Sequence, residues 1–351
     1  MRARNNSLDL YKILCMFLIT TIHIIGYSGI SPTNTFNAFL VDFLEVLQYF
    51  SISGFTLITG YFLVDKKSTK AKVFNFIFLV SFFSIIIYLI SLLFKPQFSL
   101  SLIIRSFFPI IFAHYWYPIN YLCLLILVPF LNQFARSLCK KQFLLFICVL
   151  AFITSTFFHL SPFVEPTPYI GHYSHSILWF VLLYFIAAYI KLHGIKRRIF
   201  FGPVMFLVCG TLIFVFRIIG GYKIFSYINL LSYNSVLSLL FTVSSFITFS
   251  NIHINLGRTL NNCLSYCMSS VFVIYLLQEH NAVRKLLWDF VNITKWSESI
   301  WLLPIILFVF IVLFILALIL NLLYQLAHKL FINRIEKNAL KIYDRITTKE
   351  F

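Results

Sequence analysis

Charge is what this sequence has least of. Only 11% of its 351 residues are Asp, Glu, Lys or Arg, against about 25% in an ordinary globular domain. A chain that is 60% hydrophobic and holds 43 Phe has too few polar side chains to clothe the outside of a soluble globule. The low hydrophobicity that disorder requires is missing as well. Acidic residues are the scarcer of the two signs, 11 against 28 Lys and Arg, for a formal charge of +17. In a soluble protein that excess would point to nucleic acid. Here no separate basic domain carries it, so nucleic acid is not an expected partner. The seven Cys include no C-x-x-C pair, which removes the usual zinc and redox motifs. Cys263 and Cys267, one helical turn apart, read as small packing residues. Repeats of 20–50 residues and low-complexity linkers are also lacking. What is left is an integral membrane protein.

A helix crosses the hydrocarbon core with about 20 mostly apolar residues. Ten runs qualify: roughly 8–30, 39–63, 73–94, 110–131, 142–160, 175–191, 200–219, 227–250, 262–280 and 300–326. Basic clusters fall at every second gap. Of the 28 Lys and Arg, only Lys95, Arg105, Arg217, Lys223, Arg284, Lys285 and Lys295 lie on the other side. The positive-inside rule then places both termini in the cytoplasm, which needs an even number of spans. The expected fold class is therefore all-α, a polytopic membrane protein of about ten transmembrane helices. The first run reads as an uncleaved helix, since it is long for a signal and lacks a small-x-small cleavage site. Residues 1–328 form one membrane-embedded domain. Residues 329–351 form a basic cytoplasmic tail, expected as an amphipathic helix on anionic lipid.

The first helix carries the most informative residues. Ser7 is its expected N-cap and Asp9 lies in its first turn, where a carboxylate complements the helix dipole. Lys12 and His23 are about 20° apart around the helix and about 16 Å apart along it, with Asp9 within about 40° of the same line. Asp9 and Lys12 can be rim anchors. Topology calls for no imidazole at His23, and an ionisable group at that depth normally faces a cavity or a partner.

Asp9-x-x-Lys12-x10-His23 resembles the opening of the integral-membrane acyltransferase 3 family: an Asp, an Arg or Lys three residues on, then a His after ten more. Ser53-Gly54-Phe55-x-Leu57-Ile58 with Gly60-Tyr61-Phe62-Leu63 is similar to the family's second helix, which is followed by a basic loop, here Lys66, Lys67, Lys70 and Lys72. His114-Tyr115-Trp116-Tyr117 with Tyr121 and Pro129-Phe130-Leu131, then Leu178-Trp179-Phe180 with Tyr184, resemble later helices. Tyr275-Leu276-Leu277-Gln278-Glu279-His280 resembles a segment near the end. These matches run in family order from Asp9 to Trp288. Two positions depart from the pattern: Gln278 stands where the family often has His, and the basic loop is Lys where the family has Arg. Lys meets phosphate as a point charge without the bidentate fork.

The resemblance implies transfer of an acyl group, usually acetyl from acetyl-CoA, to a hydroxyl of a cell-envelope polysaccharide or its lipid-linked precursor. A sugar hydroxyl needs a base as it attacks a thioester. An imidazole out of water stays neutral and can be that base, which makes His23, with Asp9, the expected catalytic residue; an acyl-His intermediate is the variant route. Lys12, Lys66, Lys67, Lys70 and Lys72, with Arg197 and Arg198, are the expected contacts for the polyanionic co-substrate, although loop lysines also serve topology alone. His114, Trp116 and Glu279 are candidates for acceptor binding. Ser51, Ser53, Gly54 and Gly60 read as packing residues. His172-x-x-His175, with His159 nearby, reads as a polar loop, so no metal site is expected. Acyl-CoA, a glycan and membrane lipid are the implied partners, in a bacterial cytoplasmic membrane; oligomeric state is left open. A transporter or flippase of a lipid-linked sugar is the second reading, since it too would hold buried ionisable groups. A structural subunit of an envelope-assembly complex is the third.

Overall fold

The computed structural model describes residues 5–66, 69–94, 98–157, 176–194, 200–219 and 231–347. Among them every regular element is helical. The helices are α1 (Asn6–Ser28), α2 (Thr35–Leu63), α3 (Lys70–Phe94), α4 (Leu100–Phe107), α5 (Trp116–Ser137), α6 (Lys140–Ala151), α7 (Ile177–His193), α8 (Phe201–Ile218), α9 (Val236–Asn251), α10 (Arg258–Glu279), α11 (Arg284–Val291), α12 (Leu302–Ala327) and α13 (Asn333–Thr347). Seven are long and apolar enough to cross a membrane, α12 running on into α13 as one of them. The shorter apolar helices α7 and α9, and α6 with its π-helical continuation Phe152–Phe157, occupy the other three runs expected from the sequence. The chain is a multi-pass membrane protein.

Helix starts follow side-chain chemistry. Asn5, Asn34, Ser99, Ser176 and Ser235 each accept a hydrogen bond from a backbone N–H in the first turn of the helix that follows, satisfying donors that have no carbonyl partner there. The first of these corrects the expected cap at Ser7. That side chain instead donates to the carbonyl of Ile252 at 2.5 Å, while Asn6 donates to Ile254 at 2.9 Å. Both tie the start of α1 to the segment after α9.

α1 lies at the centre, against α2, α9, α10 and α12. α2 in turn packs on α7, α8 and α9. Small residues permit the closest approaches. A Cβ added at Gly60 would lie 3.1 Å from the Ala187 Cβ and 3.2 Å from the Tyr184 Cα on α7; one at Gly54 would collide with the Tyr11 hydroxyl. Gly60→Val therefore forces α2 and α7 apart. The expected cost is about 1–3 kcal/mol, read as a lower thermal midpoint in detergent, with Ser51→Ala, whose hydrogen bond stays within its own helix, as the control.

Two regions differ from expectation. The fourth apolar run, 110–131, is not one helix. Ala113 adopts a left-handed conformation, φ 48°, and α5 begins only at Trp116 and continues to Ser137. The segment before it is no surface loop, because Ser106 and His114 are buried beside His280. The tail, expected as an amphipathic helix on lipid, is helical and packs in part on the bundle. After the π-helical turn His328–Ile332, α13 returns across the start of α3: Lys70 Nζ is 3.2 Å from Asp344 Oδ1 and the Phe74 and Tyr343 rings meet at 6.0 Å. Glu336 is buried and pairs with His328 at 3.1 Å.

At the opposite end from the basic loops, the α1–α2 connection is clasped by Glu298. Its carboxylate accepts from the Thr33 and Asn34 backbone at 2.7 and 3.0 Å, and from the Asn34 side chain at 2.8 Å. These bonds hold Glu298 below its ordinary value of 4.5. A depressed folded value means the clasp is complete at neutral pH and is lost as pH falls through that value. Backbone-amide protection at Thr33 and Asn34 should therefore be lost as pH falls below the ordinary carboxylate value of 4.5, and this pH dependence should be absent in Glu298→Gln.

Candidate active site

His23 lies seventeen residues into α1, about 25 Å from the helix start. It meets the C-terminal end of α10, which rises beside α1. His23 Nε2 faces Glu279 Oε1 at 3.5 Å, with side-chain exposures of 15% and 10%. Tyr27, one turn after His23, donates to the Glu279 carboxylate at 2.9 Å and to its second oxygen at 3.2 Å. Arg284, at the start of α11, approaches the same carboxylate at 3.7 Å and donates to the Tyr27 hydroxyl at 3.3 Å. Three groups thus converge on one carboxylate.

That arrangement gives the two ring nitrogens of His23 different tasks. Glu279 offers Nε2 a carboxylate oxygen at 3.5 Å, longer than a hydrogen bond, and would favour the tautomer whose proton sits on Nε2 as that contact shortens. Nδ1 is buried and has no hydrogen-bond partner, so its lone pair is available. Gln278 is fully buried and within weak hydrogen-bonding reach of the imidazole, although neither its amide oxygen nor its nitrogen has a partner of good geometry. Tyr275, whose ring is 6.5 Å from His23, also has an unpaired buried hydroxyl. Buried polar groups are nearly always satisfied in folded proteins. Several unsatisfied ones around a single imidazole mark a place where polar atoms of a substrate can sit.

A second polar cluster supports the first. His280 follows Glu279 directly, and its Nδ1 accepts from the Ala282 backbone at 3.1 Å. Nε2 is left to face Ser84 on α3 at 3.4 Å and Ser106 on α4 at 3.5 Å. His114 packs against His280 with ring centroids 4.4 Å apart and accepts from the Asn281 backbone at 3.3 Å. The end of α10 is thereby held from α3, α4 and the turn before α5.

A family model described as an acyltransferase domain matches residues 5–323. The chain belongs to the acyltransferase 3 family. No curated protein and no solved structure matches it. Membrane acyltransferase activity is what membership of this family indicates.

Of the residues singled out from the sequence of this acyltransferase, the structure joins His23 and Glu279 directly and sets His114 against His280, the residue after Glu279. Trp116 packs on Tyr117 and Phe180, a layer behind Tyr117, whose ring meets Tyr275 at 5.9 Å. Asp9 stays at the far end of α1, fourteen residues and about 21 Å from His23; the carboxylate beside the imidazole is that of Glu279. Lys12 sits over the Phe55 ring at 5.1 Å. Lys66 is exposed, Lys70 is tied to Asp344 and Lys72 lines a cavity. Lys67, Arg197, Arg198, His159, His172 and His175 fall outside the described residues.

Sequence reasoning passed over Tyr27 and Arg284. Tyr27 lies four residues after His23 and so on the same face, a spacing that was there to be read. Arg284 stood in the charge ledger as one of the few basic residues away from the lysine-rich side, and its partner was legible only from the packing of α11 against α1.

Proposed function

We propose that the protein is an integral-membrane O-acyltransferase, moving acetyl or a similarly short acyl group from acyl-CoA to a hydroxyl of a cell-envelope glycan or its lipid-linked precursor. The lysine-rich end faces the cytoplasm of a bacterial cell, the side from which the polyanionic donor arrives. The observation that carries this reading is the His23–Glu279 pair, with an unpaired Nδ1 and an unpaired Gln278 amide beside it, in a chain of the acyltransferase 3 family.

In the reaction, His23 Nδ1 takes the proton of the acceptor hydroxyl while its oxygen attacks the thioester carbonyl. Glu279 holds the imidazole and balances the charge it gains, as an orienting carboxylate does for a histidine base. The Gln278 amide donates to the carbonyl oxygen as it becomes negative, a contact that strengthens in the transition state. Collapse breaks the C–S bond, and the coenzyme A sulfur leaves with the proton from His23. The surrounding bundle keeps out water, which would otherwise hydrolyse the thioester.

The test is release of free coenzyme A from acetyl-CoA by the purified protein in lipid nanodiscs, with and without an envelope glycan extract. Acceptor-dependent release is the expected result. No release under either condition, together with movement of a lipid-linked sugar across proteoliposomes, would establish the transporter instead.

A further inference from the structure

A cavity of about 490 Å³ lies between α3, α5 and α12 towards the lysine-rich end. Its polar lining includes Lys72, Asn75, Gln325 and His328; Phe76 and Tyr121 supply aromatic wall. From there a ladder of rings leads to the catalytic imidazole. Tyr121 and Phe76 meet at 4.5 Å, Phe76 and Phe272 at 5.6 Å, Phe272 and Tyr275 at 5.9 Å, and Tyr275 and His23 at 6.5 Å. Tyr117 flanks the middle rungs, 6.2 Å from Phe272 and 5.9 Å from Tyr275. The steps from Phe76 to His23 amount to a distance that an extended chain of about five or six residue lengths covers.

Phe272 stands in the middle of this ladder, between Phe76 and Tyr275. It is only partly buried, whereas its α10 neighbours Val271, Val273, Ile274 and Tyr275 are buried. Its ring stacks on Tyr275 at 18° and touches both the cavity wall and the rings near His23. Rings at these spacings are in van der Waals contact, so a thin arm reaches His23 only when Phe272 swings aside, and a bulky group at the tip of that arm meets Tyr275 and Tyr117.

We propose that this cavity takes the pantetheine arm of the acyl donor and that Phe272 is a specificity-determining residue, limiting the acyl group that reaches His23 to a short one. The polar mouth suits an arm that carries amides and ends in phosphates, and the aromatic ladder suits the thioester end. The inference rests on the reading of the protein as an acyl-CoA-dependent acyltransferase.

The experiment compares acetyl-, butyryl- and octanoyl-CoA as donors for the full chain in nanodiscs, as wild type, Phe272→Leu and Phe272→Ala. The readout is the ratio of kcat/KM for octanoyl to that for acetyl. It should rise at least about tenfold in Phe272→Ala, the value of a few methylene contacts, with Phe272→Leu between. A purely structural role for Phe272 would lower all three donors in proportion and leave the ratio flat, which overturns the inference. Phe272→Leu keeps the test available if Phe272→Ala does not fold, because it preserves an apolar side chain of similar volume. Leu79→Trp, which fills the cavity, should raise KM for every acyl-CoA without changing the ratio; an unchanged KM would remove the cavity from the donor's path. Wild type that turns over acetyl-CoA with an unaltered ratio in the variants sinks the inference alone, and wild type inert to every thioester sinks the underlying reading with it.

Discussion

His23→Ala is expected to lower acyl transfer by about 10³-fold, about 4 kcal/mol of transition-state stabilisation, and to leave the protein folded. Both halves of that result come from the same geometry. His23 makes one long ionic contact, to Glu279 at 3.5 Å, beside ring contacts to Tyr27 and Tyr275, and its Nδ1 has no hydrogen-bond partner of good geometry, so few bonds of the fold depend on it. The carboxylate left behind still has Tyr27 and Arg284. A histidine retained for packing would give the opposite pattern, with lower stability and a rate per folded molecule near wild type. Thermal midpoint and kcat, measured on the same preparation, separate the two.

Glu279→Gln is expected to cost about 10²–10³-fold in kcat, about 3–4 kcal/mol, with KM for acyl-CoA within about twofold. The amide is isosteric and can still accept from Tyr27. It can also turn a donor towards Nε2, however, which removes the preference for the tautomer that leaves Nδ1 unprotonated, and it cannot balance an imidazolium. Arg284 would then face the site without its counter-charge. Glu279→Asp keeps the charge but withdraws it by one methylene, and should fall between. If Glu279 bound the acceptor alone, Glu279→Gln would raise the acceptor's KM and spare kcat; acceptor saturation curves decide this.

The membrane class and the positions of the apolar helices were legible because each depends on local composition. A run of about 20 apolar residues means the same thing wherever it occurs. His23 was legible for a related reason: an imidazole late in an apolar helix has no local explanation. Its partner was harder to assign. Asp9 shares a helix with His23, and shared azimuth suggested a shared task, but rise along the axis sets them about 21 Å apart. Glu279 comes 256 positions later and reaches His23 only because α10 packs beside α1. The break before α5 was hidden for another reason: the left-handed turn at Ala113 lies within an apolar run, and hydropathy cannot tell a re-entrant turn from a helix. The docking of α13 on α3 was likewise invisible, because an amphipathic helix presents the same pattern to lipid and to a neighbouring helix.

The central claim is that His23 is the base for acyl transfer from a thioester to a glycan. The most direct test follows radiolabelled acetyl from acetyl-CoA into envelope glycan, in membranes holding equal amounts of wild type or His23→Ala. Label that enters the glycan with wild type and is lost with the variant is the predicted result. Equal labelling by the two would contradict the account, leaving acyl transfer in place and removing His23 from its chemistry.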